Sequence, residues 1–435
     1  DPLRWWNQFP PGLRNVTRLR LLASIGAGGV IFMTPLVFNA IAFSASQVGS
    51  GLAVSALVGT AVRLLSGALL DRGLRCSWPI RVTTLLAISA DLMLFQADTY
   101  SAYLLGQLLL GSAAGLYWPA IELAVPLNCG NLPSGRGYAL VRSSDALGIG
   151  LGALLGTIAA TLGHLRLVYG VEAICMASVL TLISVDPLLD KRPLPENVHP
   201  DKPTKKIDLS WLPPLVPVLV VSVVATGVLS LQQSALPLDL VRGGLERQGL
   251  SESHSSALIA FQLTLLVLLQ WPVGRWLSER SVSFGLSLSL VSFAAGCLLI
   301  GLSALTSSGT GLVMVGLLPM AFAQAAFLPT ATEAVVEETP PEHRGLAMAM
   351  FSQCFAISAI AAPVLGGKLL DQQGHGLTLW VAVAGISLAV LPLVKGLRPR
   401  FKESVQGPTN NLSTLKQGVQ AVSGTNGRPS PSTNR

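Results

Sequence analysis

Apolar runs of roughly 18–25 residues recur along the whole chain, and their length restricts the fold most, because about twenty apolar residues in a helix cross a bilayer. Lipid offers backbone N–H and C=O groups no partner, so such runs are read as helices that satisfy their own backbone. The short alternating segments of a transmembrane barrel are absent. Twelve runs are expected as helices 1–12: 19–43, 48–70, 80–97, 100–126, 138–161 and 164–185, then 211–238, 255–277, 282–305, 310–333, 345–370 and 376–396. Composition agrees with an all-α membrane protein. The chain is 51% hydrophobic and 12% charged, about half the charge of a soluble domain and too little polar surface for water.

The runs fall into two six-helix bundles, 19–185 and 211–396, joined by a proline- and lysine-rich linker over 186–210. Residues 1–18 are expected as a cytoplasmic N-terminal segment, and the Ser/Asn/Gly/Pro-rich 397–435 as a disordered cytoplasmic tail. The first run is long enough to span by itself, so it is not read as a signal peptide. Basic residues gather on one side: Arg4, Arg14, Arg18 and Arg20, then Arg72, Arg75 and Arg81, then the linker lysines, then Lys395, Arg398, Arg400 and Lys402. The other side has Arg166, Arg242, Arg247 and Lys368. The positive-inside rule then places both termini in the cytoplasm of an inner-membrane, multi-pass protein. The five cysteines have no paired spacing and read as packing thiols.

An internal repeat carries the most information. Asp71-Arg72 after helix 2 returns as Glu279-Arg280 after helix 8, 208 residues on. Pro133-x-x-Arg136-Gly137-x-Ala139 before helix 5 returns as Pro341-x-x-Arg344-Gly345-x-Ala347 before helix 11, again 208 residues on. Two motifs at one offset imply duplication, and transporters built this way place their substrate site between the repeats near the midplane.

With Gly67, Asp71, Arg72 and Arg75 in the loop after helix 2, the sequence resembles the major facilitator superfamily over about residues 18–400. Among its members the resemblance is to bacterial drug and metabolite efflux proteins. The second glycine of the loop signature arrives one residue early, as Gly73. The resemblance implies a fold of two pseudo-symmetric six-helix bundles. It also implies that Asp71, Arg72 and Arg75, with Glu279 and Arg280, lock the halves together on the cytoplasmic side. Glu122 in helix 4 and Glu333 in helix 10 stand before Arg136 and Arg344. In the family, acids so placed pair with loop arginines when the inner gate closes. Two features depart from proton-coupled drug antiporters. Gln107 stands where many carry arginine in helix 4, and Gly148, Gly152 and Gly156 of helix 5 lack the accompanying proline and mainly permit close packing.

Buried carboxylates are expensive in lipid and face a partner or a cavity. Arg142 and Asp145 are three apart, hence on one helix face, and Glu122 is expected at similar depth. The trio reads either as a proton site, with Asp145 the first carrier and Glu122 the second, or as a static ion network. Asp91 and Glu172 are expected to point inward as structural groups. On helices that line the family's cavity lie Phe32, Asn39, Gln107, Tyr117, Trp118, Gln232, Gln233, Gln262, Gln324 and Gln353. Amides and aromatics suit an uncharged, amphipathic or weakly cationic substrate, or serve as interhelical hydrogen-bonding groups.

Other classes lack their residues. Gly366-Gly367-Lys368-Leu369 is not a phosphate loop, since it has no upstream glycine and no Ser/Thr. The five histidines lack metal-ligand spacing. The expected protein is a monomeric, non-enzymatic secondary transporter without cofactor or metal. Its partners are the bilayer, a small-molecule substrate and protons, not nucleic acid. Proton-coupled efflux of a small organic molecule ranks first; a facilitator or uptake symporter of a neutral solute, then a non-transporting membrane protein, are the alternatives. The topology makes a test: cysteines placed at Lys205 and in the 397–435 tail should resist impermeant thiol reagents in intact cells. Labelling of either from outside would reverse the orientation.

Overall fold

The structure is a computed structural model that describes residues 6–132, 134–190, 210–340 and 344–397. Twelve of its helices are long and apolar enough to cross a membrane. The first half contains α1 (Pro11–Ala40), α2 (Ala45–Asp71), α3 (Ser77–Gln96), α4 (Tyr100–Asn128), α5 (Ser134–Thr161) and α6 (Leu167–Val185). The second contains α7 (Leu212–Arg242), α8 (Glu252–Ser278), α9 (Val282–Leu302), α10 (Gly309–Glu338), α11 (Arg344–Gln373) and α12 (Leu377–Ala389), which a short α13 (Leu391–Lys395) prolongs. The tail beyond Leu397 and linker residues 191–209 lie outside the described residues.

Side-chain caps set several starts. Ser44 accepts from the Gln47 N–H while Gln47 returns a bond to the Ser44 N–H, a capping box at the head of α2. Thr99, Ser251 and Ser281 cap α4, α8 and α9 in the simpler way. The largest displaced boundary is that of the first helix. It begins at Pro11, with proline in the first turn, so residues 11–18 are helix and not an N-terminal segment. Apolarity could not show this, because Asn15, Thr17 and Arg20 are buried against protein and not exposed to lipid. Likewise α10 runs on to Glu338 because Glu337 and Glu338 are buried.

The contacts repeat with the halves. Helix α1 packs on α5 and α6, and α4 takes α2 and α3. In the second half α7 packs on α11, and α10 takes α8 and α9. Between halves the broad contacts are α2 with α11 and α5 with α8, and α1 meets α7. Helices can approach this closely where side chains are small. Gly148, Gly152 and Gly156 of α5 face α1, and a methyl group on Gly152 would overlap the Ile25 carbonyl. Gly150, two residues away, has nothing within 4 Å of its Cβ position. Gly152→Ala should therefore destabilise by about 1–3 kcal/mol of overpacking. Gly150→Ala should be neutral or stabilising by up to about 1 kcal/mol through helix propensity. Thermal unfolding of the two purified variants in one detergent checks this; equal midpoints would remove the packing role of the α5 glycines.

Candidate functional site

Arg20 organises the interior of the first half. It is 1% exposed and grips Asp145 of α5 with two bonds, Nε to Oδ1 at 2.7 Å and Nη2 to Oδ2 at 2.5 Å. Its Nη1 donates to Glu122 of α4 at 2.9 Å, and the guanidinium lies 4.7 Å from the Trp118 ring centroid. Ser24 donates a further bond to Asp145 at 2.9 Å. This is a fork-to-fork arginine–carboxylate pair with a second acid on the free edge. Three helices, α1, α4 and α5, meet in it.

This arrangement corrects two expectations. Arg20 is not a topology charge of the N-terminal segment but the centre of a buried network. Arg142, expected to hold Asp145, is 67% exposed and among the described residues reaches only Glu122, at 3.9 Å. A fork buried in α1 outcompetes a side chain on the same helix as the acid, because the α5 backbone turns Arg142 outward. The signal was present: an arginine next to a long apolar run is expensive and implies partners.

One cavity adjoins the network, and a central one shares a wall with it. The central one, about 300 Å3, lies between the halves and is lined by α1, α2, α4, α7 and α11, including Arg63, Gln107, Gln233, Thr34 and Phe355. The second, about 240 Å3, runs into the first half past Ser24, Tyr117, Trp118 and Glu172. They share Val30, Ile31, Ser55, Leu110 and Ala114 as wall. Asp91 of α3 is buried near Glu172 of α6, so both point inward.

Of the cavity candidates, Gln107 and Gln233 border the central cavity, and Tyr117 and Trp118 the second one. The others sit elsewhere. Phe32 is packed in the apolar core. Gln262 donates to Gln232 at 2.8 Å, and both are buried, a bond between α8 and α7. Gln324 is half-buried and Gln353 exposed, and neither borders these two cavities. Asn39 accepts from Arg242 at 3.4 Å, at the end of the bundle away from the linker. Arg63 was not singled out from the sequence, although an arginine within an apolar run is the same costly signal.

That far end holds a latch between the halves. The Asp371 carboxylate of α11 accepts from the Ala45 and Ser46 N–H groups at 2.9 and 2.7 Å, at the N-terminus of α2, where a helix favours negative charge. Arg242 of α7 donates to the same carboxylate at 2.8 Å. Nearby, a Cβ on Gly49 would overlap the Pro363 carbonyl and one on Gly367 the Ala45 carbonyl. Beyond the latch, buried Arg247 pairs with Asp239 at 3.2 Å, and the Trp380 indole and the Gly376 N–H donate to Asp239. The expected gate residues occupy the linker end. There Arg72, Arg75, Glu279, Arg280 and Glu333 are exposed, and Arg280 lies over the Trp276 ring at 4.5 Å. The side chains of Asp71, Arg136 and Arg344 lie outside the described residues.

The Major Facilitator Superfamily matches the chain over residues 19–244 and again over 218–426. No curated protein matches it. Among solved structures, the nucleoside transporter NupG is similar with a TM-score of 0.73 at 15% identity, covering 89% of this chain and 99% of that one. A POT family transporter in complex with a thioalcohol-conjugated peptide has a TM-score of 0.72 at 13% identity, covering 89% and 96%. The peptide transporter POT in complex with sulfate has a TM-score of 0.71 at 14% identity, covering 90% and 95%. At these identities the likeness is one of fold.

The latch has a measurable consequence. Asp371→Asn removes charge-assisted bonds worth about 1.5–3 kcal/mol each and should populate conformations opened at the far end. Double electron–electron resonance between spin labels at Gln47 and Gln372 should show a longer component than in the unsubstituted chain. An unchanged distance distribution would leave Asp371 a static cap.

Proposed function

Because the chain belongs to the major facilitator superfamily, we propose that it is a proton-coupled secondary transporter moving a small organic molecule through its central cavity by alternating access. The observation that carries this reading is the cavity between two duplicated halves, latched at one end and bordered by the wall it shares with the side cavity of the Arg20 network. Rocking the halves about the α2–α11 and α5–α8 contacts would expose the cavity to one side and then the other. We place the linker end in the cytoplasm of an inner membrane, following the basic residues at that end, and take export as the direction of solute movement.

Asp145 is the proposed proton carrier, and Arg20, not Arg142, is the group that governs it. Helix α5 carries Asp145 and packs on α8 of the other half, so a change at that interface bears directly on the Arg20 pair. A carboxylate that loses its guanidinium partner in an apolar interior takes up a proton more readily. Glu122, which shares Arg20 and touches exposed Arg142, is the route by which the linker-end charges would act on the same pair.

The test uses vesicles reconstituted with the purified chain and a labelled solute first identified by thermal stabilisation. Asp145→Asn should abolish accumulation driven by an imposed pH gradient while sparing counterflow exchange of the same solute. If the variant still concentrates the solute, Asp145 is not the carrier. If the unsubstituted chain only equilibrates the solute under every pH gradient, facilitated diffusion replaces coupling. The sign of accumulation reads the direction.

A further inference from the structure

Arg63 sits in α2 within the apolar span 45–70 and borders the central cavity. Arg20, Arg242 and Arg247 each face a carboxylate. Arg63 forms no ion pair among the described residues, and its Nε, shielded from solvent, donates to nothing. It is also the one ionisable side chain among the described residues of that cavity wall. A charge in a spanning helix costs about 2.5–3.5 kcal/mol on insertion scales and belongs to a partner or a pathway.

A second donor stands in the same wall. Gln107 of α4 is 1% exposed, and its Nε2 has no acceptor. The two residues reach one cavity because α2 and α4 cross where Gly59 and Gly111 meet, with room for no side chain between them. Two unused donors, one of them charged, call for a ligand that is an acceptor and an anion. The remainder of the wall is hydroxyl, amide and apolar, with Thr34, Gln233, Leu52, Leu110 and Phe355. The 208-residue repeat carries position 63 onto Trp271, so the second half brings no matching cation. One fork-shaped cation suits a single carboxylate, and a dianion would leave charge uncompensated. The volume of about 300 Å3 is at the small end of organic ligand sites.

We propose that the transported solute is a small organic acid with one carboxylate and an apolar body, the carboxylate received by Arg63 with Gln107 as second donor. This rests on the transport reading above and replaces the expectation of a neutral or weakly cationic substrate, since an unpaired guanidinium repels a cation. Export also suits such a solute, because an anion leaving an inside-negative compartment lowers its electrostatic energy.

The test is thermal stabilisation of the purified full-length chain by matched compounds. The probes are straight-chain carboxylates from acetate to decanoate and phenylacetate, each beside its amide and its amine. Acids should stabilise the chain with apparent affinities about tenfold or more better than the amides of the same skeleton. Arg63→Gln should erase that preference, while Arg63→Lys, which keeps the charge and loses the fork, should retain it in weakened form. The assignment fails if no acid in the series stabilises the unsubstituted chain, if amides or amines do as well as acids, or if Arg63→Gln keeps the preference. Counterflow in vesicles separates this from the transport reading. An acid that binds in this way but never exchanges sinks transport and leaves the site standing. Exchange of neutral solutes indifferent to Arg63→Gln sinks the site and leaves transport standing.

Discussion

A guanidinium enclosed in a bundle of apolar helices is stable only if carboxylates come to it, and Arg20 draws them from two other helices. Taking charges out of water costs several kcal/mol each, offset only by good geometry, and the Arg20–Asp145 pair has it, with two bonds of 2.7 and 2.5 Å. Glu122 and the Trp118 face complete the surroundings. Because the acids come from α4 and α5, neither helix can slide against α1 without exposing charge to an apolar interior. The glycine contacts of α5 on α1 lie along the same seam. Polar pairing and close packing thus reinforce one another, and both make this half a rigid unit.

The duplication preserved the scaffold and let the chemistry diverge. Helix contacts recur six helices apart, and the loop motifs recur 208 residues apart. The same offset carries Glu122 to Thr330 and Asp145 to Gln353. The second half holds itself together by other means: the Gln232–Gln262 bond inside it and the buried Asp239–Arg247 pair at its far end. The two halves therefore share a helix arrangement and differ in the charges they bury.

At the end away from the linker the described residues of the halves meet through few polar groups. The far-end latch joins them through one carboxylate, the first N–H groups of α2 and two close helix crossings. The two N–H bonds to that carboxylate are charge-assisted and worth about 1.5–3 kcal/mol each, with about 0.3–1 kcal/mol more from the helix dipole. The Asp239–Arg247 cluster is different in kind, since both partners are buried within one half. It stiffens that half and does not join it to the other.

Local chemistry written in the chain was enough for the twelve spans, the two halves and their repeat. Apolar length and offset are properties of a linear string, and every span is recovered within a few residues except the polar start of α1 and the end of α10. Gln107, Gln233, Tyr117 and Trp118 border cavities because residue type and helix order place them there. Which charges meet was decided only in three dimensions. Arg20 and Asp145 are 125 residues apart, Asp371 and Ala45 are 326 apart, and no spacing rule joins them. Hydropathy treats a buried arginine as a helix end, so Arg20 reads as topology and Arg63 as part of a run. A side chain's partners depend on the rotation of each helix about its axis, and packing against neighbours sets that rotation.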